Sequence, residues 1–367
     1  MWLIILGLTM LCAIAGLIYL TLAVRKFSWL KKITEKNKVL GTALSLAVIV
    51  AVFLIINFTM TFTNAVVVLL HVMLFFLLSA VIVLIYKCIS RREPKFYLQG
   101  WLALTVSVLY LGIACFLCEH VWQTNYELTT PKSVTPLRVA MFADSHLGTT
   151  FDADGLAEYL QEMEAQSPDI LVIPGDFVDD SSEREDIIRA CEVLGQVDLP
   201  YGVWFSFGNH DEGYYDTRGF SGDELREALT SNGVHILEDE CVQINDSYYL
   251  AGRLDSDYVR MEISDLLSGL DTDRYIIVLD HEPNDYDNEA ASEADLVLSG
   301  HTHGGQLIPI TYVGELFGIN DSTYGYEQIN GTDFIVTSGI SDWALNFKTG
   351  TYSEYVIIDI TSEAGSL

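Results

Sequence analysis

Five short blocks in the second half of the chain hold the side chains best suited to bind hard divalent cations. They are Asp144-Ser-His146, Gly175-Asp176, Gly208-Asn209-His210-Asp211, His281 and Gly300-His301-Thr302-His303. Five of the eight histidines fall in these blocks. Their mixed oxygen and imidazole ligands suit Mn, Fe or Zn, whereas calcium prefers oxygens alone and a structural zinc site would use cysteine. Two such ions about 3.5–4 Å apart activate water and clamp a phosphoryl group, so the blocks predict phosphoester hydrolysis.

Short apolar runs that alternate with amphipathic stretches predict an α/β domain around these blocks. The predicted strands are 137–143, 170–173, 201–207, 248–251, 275–279, 296–298, 334–337 and 355–360, and the predicted helices are 153–164, 183–194 and 223–231. Each block lies within three residues of a strand end. Ligands gather at the carboxyl ends of strands in layered α/β folds, so we expect the blocks to meet at one edge.

The motifs D-x-H, G-D-x-x-D, G-N-H-D, H and G-H-T-H-G-G-Q together resemble the calcineurin-like metallophosphoesterase superfamily over residues 137–360. Each motif alone is a weak signal, since a single Asn209 or His281 is more often a cap or a surface residue. The H-T-H-G-G-Q ending and the apolar amino terminus are similar to its membrane-associated bacterial branch, which includes phosphodiesterases related to UDP-diacylglucosamine pyrophosphohydrolases. The resemblance implies a two-sheet α/β/β/α sandwich.

The resemblance also implies roles for individual residues. One metal would be held by Asp144, His146, Asp176 and His303, and a second by Asp176, Asn209, His281 and His301. Asp176 would bridge the two ions, and a hydroxide between them would attack phosphorus in line. His210 would protonate the leaving oxygen, with Asp211 orienting its imidazole. Asp179 and Gly148 also match the motifs and are interpreted as outer-shell or turn residues.

One segment departs from the branch, whose members often carry an arginine after the last S-G-[LI]. Here Ser338-Gly339-Ile340 leads to Lys348, which we consider as a replacement positive charge for substrate binding. The alternative is an ordinary solvated lysine. Arg253 is a second weak candidate for substrate contact.

Residues 1–119 are predicted to form a membrane region with four spanning helices at about 2–24, 39–60, 65–87 and 96–117. A cleaved signal peptide is the alternative for the first, but no basic segment precedes it. Residues 120–136 are predicted to be an irregular linker rich in turn residues, and residues 137–367 the catalytic domain.

Charge separates the two parts of the chain. Residues 1–119 carry ten Lys/Arg and three Asp/Glu, a net charge of +7, which leaves −37 for residues 120–367 of the −30 overall. The basic residues lie in the loops at 25–38 and 87–95, so these loops are predicted to be cytoplasmic and the acidic domain extracytoplasmic. A domain this acidic is a poor nucleic-acid binder.

The sequence therefore predicts a membrane-embedded, metal-dependent phosphoesterase acting on a phosphodiester or pyrophosphate. A lipid-linked or cell-envelope substrate is a hypothesis motivated by the anchor. A broad phosphomonoesterase or nucleotidase and a non-catalytic membrane sensor are the alternatives. The pairing of Cys191 with Cys241, the metals' identity and the oligomeric state stay open.

Overall fold

The structure is a computed structural model that describes residues 2–214 and 218–363, with side chains from residue 7 onward. It divides into two compact units. The first holds the chain up to Phe116 and the short stretch Ala344–Asn346, and the second holds the remainder.

The first unit contains four helices that are long and apolar enough to cross a membrane. They are α1 (Trp2–Val24), α3 (Lys38–Thr59), α4 (Phe62–Ser90) and α5 (Leu98–Glu119), and the shorter helix α2 (Ser28–Lys36) lies between the first two. The prediction of four apolar helices is confirmed: the first has the predicted ends, and the ends of the other three are shifted by one to three residues. Helix α4 begins with Thr61 as its cap, whose hydroxyl accepts from the Asn64 N–H, and this cap separates it from α3.

The second unit is built on two six-stranded sheets. The first has the order β1 (Val121–Thr130), β12 (Ser353–Ser362), β2 (Leu137–Met141), β3 (Ile170–Pro174), β4 (Val203–Ser206) and β5 (His235–Ile236). The second has the order β10 (Gly325–Ile329), β11 (Thr332–Val336), β9 (Leu296–Ser299), β8 (Tyr275–Leu279), β7 (Tyr248–Gly252) and β6 (Glu240–Gln243). Strands β2 to β5 are parallel neighbours, as are β7, β8 and β9.

Helices cover the outer face of each sheet, so the unit has four layers. Val139 and Met141 of β2 point into the core between the sheets, where they meet residues of the second sheet such as Ile277. The alternate residue Ala140 packs on the other face, against helices α6 (Ala153–Glu164), α7 (Arg184–Leu194) and α8 (Gly222–Ser231). The second sheet packs outward against the short helices α9 (Ile263–Leu266) and α10 (Tyr286–Glu289). The predicted α/β/β/α sandwich is confirmed.

The segment predicted to be an irregular linker is different in the structure. Residues 121–130 form strand β1, which pairs in parallel with β12 along its whole length, from Val121 opposite Ser353 to Thr130 opposite Ser362. The turn residues Pro131 to Pro136 follow the strand rather than replace it. The partner strand lies more than 200 residues away in sequence, so no local pattern indicated this pairing.

Candidate metal centre

The seven predicted metal ligands come together at the carboxyl ends of five strands. Strand β2 ends three residues before Asp144, β3 two before Asp176, β4 three before Asn209, and β8 and β9 each two before a histidine. Parallel neighbours present these ends at the same edge, which places side chains distant in sequence side by side.

Two groups of candidate ligands form there. Asp144, His146 and His303 make one group, and within it the ligand atoms lie within 4.8 Å of one another. Asp176, His281 and His301 make the other under the same limit. The Asn209 Oδ1 atom belongs with the second group, because it is 3.1 Å from His281 Nε2 and 3.1 Å from His301 Nδ1.

Asp176 lies between the two groups. Its Oδ2 atom is 3.5 Å from His146 Nε2 in the first group and 3.2 Å from His281 Nε2 in the second. A single carboxylate oxygen that faces imidazoles of both groups is the arrangement a bridging ligand requires.

The residues fit a pair of divalent ions. His146 Nε2 and His303 Nε2 point at each other across 3.2 Å, and both rings are buried. Their other nitrogens face carboxylates, with His146 Nδ1 3.4 Å from Asp179 and His303 Nδ1 3.6 Å from Asp342. His281 Nδ1 donates to the Pro174 carbonyl at 2.8 Å, so its Nε2 is the nitrogen that faces Asp176 and Asn209 in the site. Histidines that bind metals are oriented through the second nitrogen in this way.

The pKa shifts differ among the candidate ligands. Burial would lower the pKa of His281 and of His146, but Asp176 raises that of His281 well above its usual value and Asp179 raises that of His146. Burial lowers the pKa of His303 well below its usual value, and the neighbouring His146 lowers it further. Burial likewise lowers the pKa of His301. Burial alone would raise the pKa of Asp176, but His281 and the other histidines hold it well below its usual value. Neutral imidazoles and an ionised carboxylate are the forms that ligate metal.

The backbone at the site is held in an uncommon conformation. Positive φ angles occur at five of the candidate ligands, namely Asp144 (56°), His146 (34°), Asp176 (54°), His301 (69°) and His303 (50°). Each such residue costs about 1–3 kcal/mol, so a cluster of them marks a functional site rather than a relaxed loop. Gly175 has a φ of 84°, and a Cβ there would lie 2.6 Å from both Gly208 N and His281 Nδ1. Only glycine lets these ligand loops approach so closely.

Asp211 does not orient the imidazole of His210, contrary to our expectation. Its Oδ2 accepts from the N–H groups of Asp176 and Gly208, each at 2.8 Å. Its Oδ1 accepts from Phe177 N–H at 2.9 Å and Val178 N–H at 3.1 Å. The buried carboxylate therefore joins the loop that carries Asp176 to the loop that carries Asn209, and it positions both.

His210 lies at the edge of the site between aromatic rings. Its ring centroid is 5.0 Å from that of His146, 5.0 Å from Tyr214 and 5.2 Å from Trp343. Its backbone N–H donates to Asp176 Oδ1 at 2.8 Å, which fixes it beside the bridging carboxylate. Burial lowers the pKa of the His210 imidazole to about 4, so the side chain is neutral at pH 7.

Lys348 and Arg253 are not placed to contact a substrate, and this prediction is corrected. Lys348 is fully buried, and its ammonium donates to the carbonyls of Ser338 at 2.6 Å and Ser341 at 2.9 Å. It is therefore not a solvated lysine either. The guanidinium of Arg253 is 2% exposed and is engaged by three carboxylates, those of Asp280, Asp285 and Glu289. Both cations stabilise loops in the interior.

Two residues near the site were missed by sequence reasoning. Asp342 faces His303 as described, and Arg218 donates to the backbone carbonyls of His210 and Asp211 at 3.3 and 2.8 Å. Neither stands in a recognisable motif. Asp179, which we interpreted as an outer-shell residue, does contact His146, and although burial raises its pKa, this contact lowers it to about 2.

Comparisons with known proteins agree with this geometry. The family model described as Calcineurin-like phosphoesterase matches residues 137–305. An uncharacterized metallophosphoesterase of Aquifex aeolicus is 35% identical over 245 residues, which cover 64% of this chain and 90% of that protein. A transmembrane protein with metallophosphoesterase domain from Danio rerio is 31% identical over 240 residues, 61% of this chain and 53% of that protein. An uncharacterized metallophosphoesterase of Campylobacter jejuni is 28% identical over a match that covers 76% of this chain and 75% of that protein.

This chain thus spans about half of the Danio rerio protein but nearly all of the Aquifex aeolicus one. Together with the family model and the two groups of ligands, the match to the latter leads to one conclusion: the chain belongs to the calcineurin-like phosphoesterase family and is a metal-dependent phosphoester hydrolase.

Proposed function

We propose that the protein is a membrane-anchored phosphodiesterase whose catalytic domain, residues 137–367, uses two divalent metal ions. The ions would be held by Asp144, His146, Asp176 and His303 on one side and by Asp176, Asn209, His281 and His301 on the other. Metals of this kind supply an activated water and neutralise phosphoryl charge. The observation that carries the proposal is the position of the Asp176 Oδ2 atom, within 3.5 Å of imidazoles from both groups.

His210 is the proposed proton donor to the leaving oxygen. Its ring lies beside His146 of the first group and next to the exposed rings of Tyr214 and Trp343. Because burial keeps the imidazole neutral at pH 7, it must gain its proton when the phosphoryl anion binds beside it. A donor at this position lowers the barrier most when the leaving group is a poor one.

The distribution of positive charge favours a diester over a monoester. All ten lysine and arginine side chains of residues 120–367 have a partner. Eight pair with carboxylates: Lys132, Arg138, Arg184, Arg189, Arg226, Arg253, Arg260 and Arg274. Arg218 and Lys348 donate to backbone carbonyls. Among the described residues of this part of the chain, no lysine or arginine is left over to assist the metal ions in balancing the second negative charge of a phosphomonoester, whereas a diester carries only one.

The proton-donor role predicts a selective loss of rate in His210→Ala. We expect the purified full-length variant to keep its metal content and to lose about 10²–10⁴-fold in kcat on an alkyl diester. On bis(p-nitrophenyl) phosphate, whose leaving group needs no proton, the loss should be less than tenfold. His235→Ala, which removes an imidazole from strand β5, is the matched control.

Equal losses of rate on the two diesters would contradict the role of His210 as the acid.

Comparing bis(p-nitrophenyl) phosphate with p-nitrophenyl phosphate in the wild type separates a diesterase from a monoesterase. We expect kcat/KM to favour the diester by more than about tenfold, which corresponds to a difference of about 1.4 kcal/mol in activation free energy. A preference for the monoester would support the broad phosphatase alternative, and bound metal without turnover on any ester would support a sensor.

The catalytic domain is proposed to face the extracytoplasmic side. The loops at 25–38 and 87–95 contain all ten basic residues of the first 119, and such loops are retained in the cytoplasm. An even number of spans then places both ends of the membrane region outside. A protease added to intact cells should digest the catalytic domain, and protection of that domain until the cells are lysed would overturn this assignment.

A further inference from the structure

An apolar segment, residues 307–319, follows directly after the metal-binding motif. Six of its large side chains are between 50 and 78% exposed: Ile308, Ile310, Tyr312, Leu316, Phe317 and Ile319. Glu315 is its only charged residue, within a part of the chain that carries a net charge of −37. Soluble surfaces rarely display so many neighbouring apolar side chains, and such patches mark contact with a lipid or a partner.

The segment is an ordered structure rather than a loose loop. Val313–Leu316 form a short helix, α11. Its backbone is bonded internally, with Ile310 N–H donating to Leu307 O at 2.8 Å and Ile319 N–H to Gly314 O at 2.9 Å. Phe317 N–H likewise donates to Val313 O at 3.1 Å. Internal satisfaction of backbone groups is what entry into an apolar environment requires.

Both ends of the segment are fixed to the metal centre. At its start, Ile308 N–H donates to Thr349 Oγ1 at 2.8 Å, and a Cβ on Gly305 would lie 2.6 Å from Thr311 Cα. Just beyond its end, Asp321 N–H donates to the carbonyl of Pro283, two residues after His281, at 2.8 Å. Thr302 Oγ1 donates to Thr323 O at 2.6 Å. The segment therefore projects from the loops that carry His281 and His303.

We propose that residues 307–319 insert into the interfacial layer of a lipid membrane beside the metal centre. The catalytic unit is joined covalently to the membrane region, since one residue separates the end of helix α5 at Glu119 from the start of strand β1 at Val121. A second copy of the chain is a poor occupant, because two domains of net charge −37 repel each other. The segment itself carries one charged residue, Glu315, so it contributes little to the repulsion between the acidic domain and an anionic lipid surface.

Insertion goes beyond the proposed function, since it needs no catalysis. Its consequence for the substrate rests on that function: a segment embedded beside the metal centre would present the phosphodiester of a lipid headgroup to it. Two separate measurements therefore test the insertion and its consequence.

Insertion is tested with Phe317→Trp in the full-length protein, reconstituted in phosphatidylcholine vesicles with or without brominated acyl chains. We expect the emission added relative to the wild type to fall at least twofold in the brominated lipid. Ile188→Trp, on helix α7 where the native side chain is 38% exposed, is the matched control and should not be quenched. Equal emission from Phe317→Trp in both lipids, or burial of the new tryptophan against a second copy or another protein, would overturn the proposal.

The consequence is tested with the double variant Leu316→Ser/Phe317→Ser. We expect at least a tenfold lower rate on a phospholipid with a fluorescent headgroup in vesicles, with less than a twofold change on bis(p-nitrophenyl) phosphate in solution. The second rate also shows that the variant is folded. An unchanged rate on the lipid would overturn the role in presenting substrate. A wild type inactive on both esters would instead contradict the proposed function and leave the quenching result standing.

Discussion

Asp176→Asn should lose both metal ions and at least about 10³-fold of the activity, the largest effect we expect from a single substitution. Its Oδ2 atom faces imidazoles of both ligand groups, His146 at 3.5 Å and His281 at 3.2 Å. An amide removes the anion that both sites share, and metal ions supply several kcal/mol of transition-state stabilisation, with each 1.36 kcal/mol worth a factor of ten. Its Oδ1 atom accepts the N–H of His210, and the amide oxygen can keep this bond only by placing the NH₂ group at the Oδ2 position, which faces both ligand groups.

Metal content per chain and kcat/KM on bis(p-nitrophenyl) phosphate check this expectation. Asp144 belongs to one ligand group only, so Asp144→Asn should lose about one of the two metal ions per chain and lose activity with it. Asp154→Asn on helix α6, where the side chain is 71% exposed, is the matched control and should change neither quantity. If Asp176→Asn retained two metals, Asp176 would not be the bridge.

The sequence predicts the parts of the fold that local patterns determine. The strands ending before Asp176 and His281 are continuous apolar runs, and the one before Asp144 is interrupted only by Arg138. Parallel strands buried on both faces have sequences of this kind. Helices α6 to α8 show a single apolar stripe, and α8 starts with a capping box in which Ser221 and Glu224 bond each other's backbone. The blocks of ligands therefore stand out as polar interruptions at strand ends.

Other parts depend on contacts that no local pattern encodes. Lysine is usually a surface residue, yet Lys348 is buried. Its ammonium donates to two carbonyls, ten and seven residues earlier in the chain, and these hydrogen bonds make its burial favourable. Strand β1 exists because β12 offers it a partner edge. Asp211 follows His210 directly in the chain, and this adjacency favoured the prediction that Asp211 orients the His210 imidazole. Successive side chains point in different directions, however, and the Asp211 carboxylate faces the backbone of another loop.

Asp211→Asn tests the role that the structure assigns to that carboxylate. Each of its oxygens accepts two backbone N–H groups, and the substitution puts an amide N–H₂ in place of one oxygen. Two buried donors then lose their acceptor at about 1–3 kcal/mol each, so we expect the free energy of unfolding of the catalytic unit to fall by about 2–6 kcal/mol. For a unit of this size that lowers Tm by about 5–20 °C.

Thermal unfolding of the full-length protein in detergent with a chelator measures this change without a contribution from metal binding. Asp359→Asn is the matched control, since its carboxylate is 36% exposed and pairs with Arg138 at the surface, where such pairs contribute about 0–1 kcal/mol. Asp211→Asn should also bind metal more weakly than the wild type, because the loops that carry Asp176 and Asn209 are no longer joined. If Asp211 oriented His210 instead, Asp211→Asn would keep the Tm of the wild type and lose rate only on poor leaving groups, as His210→Ala does.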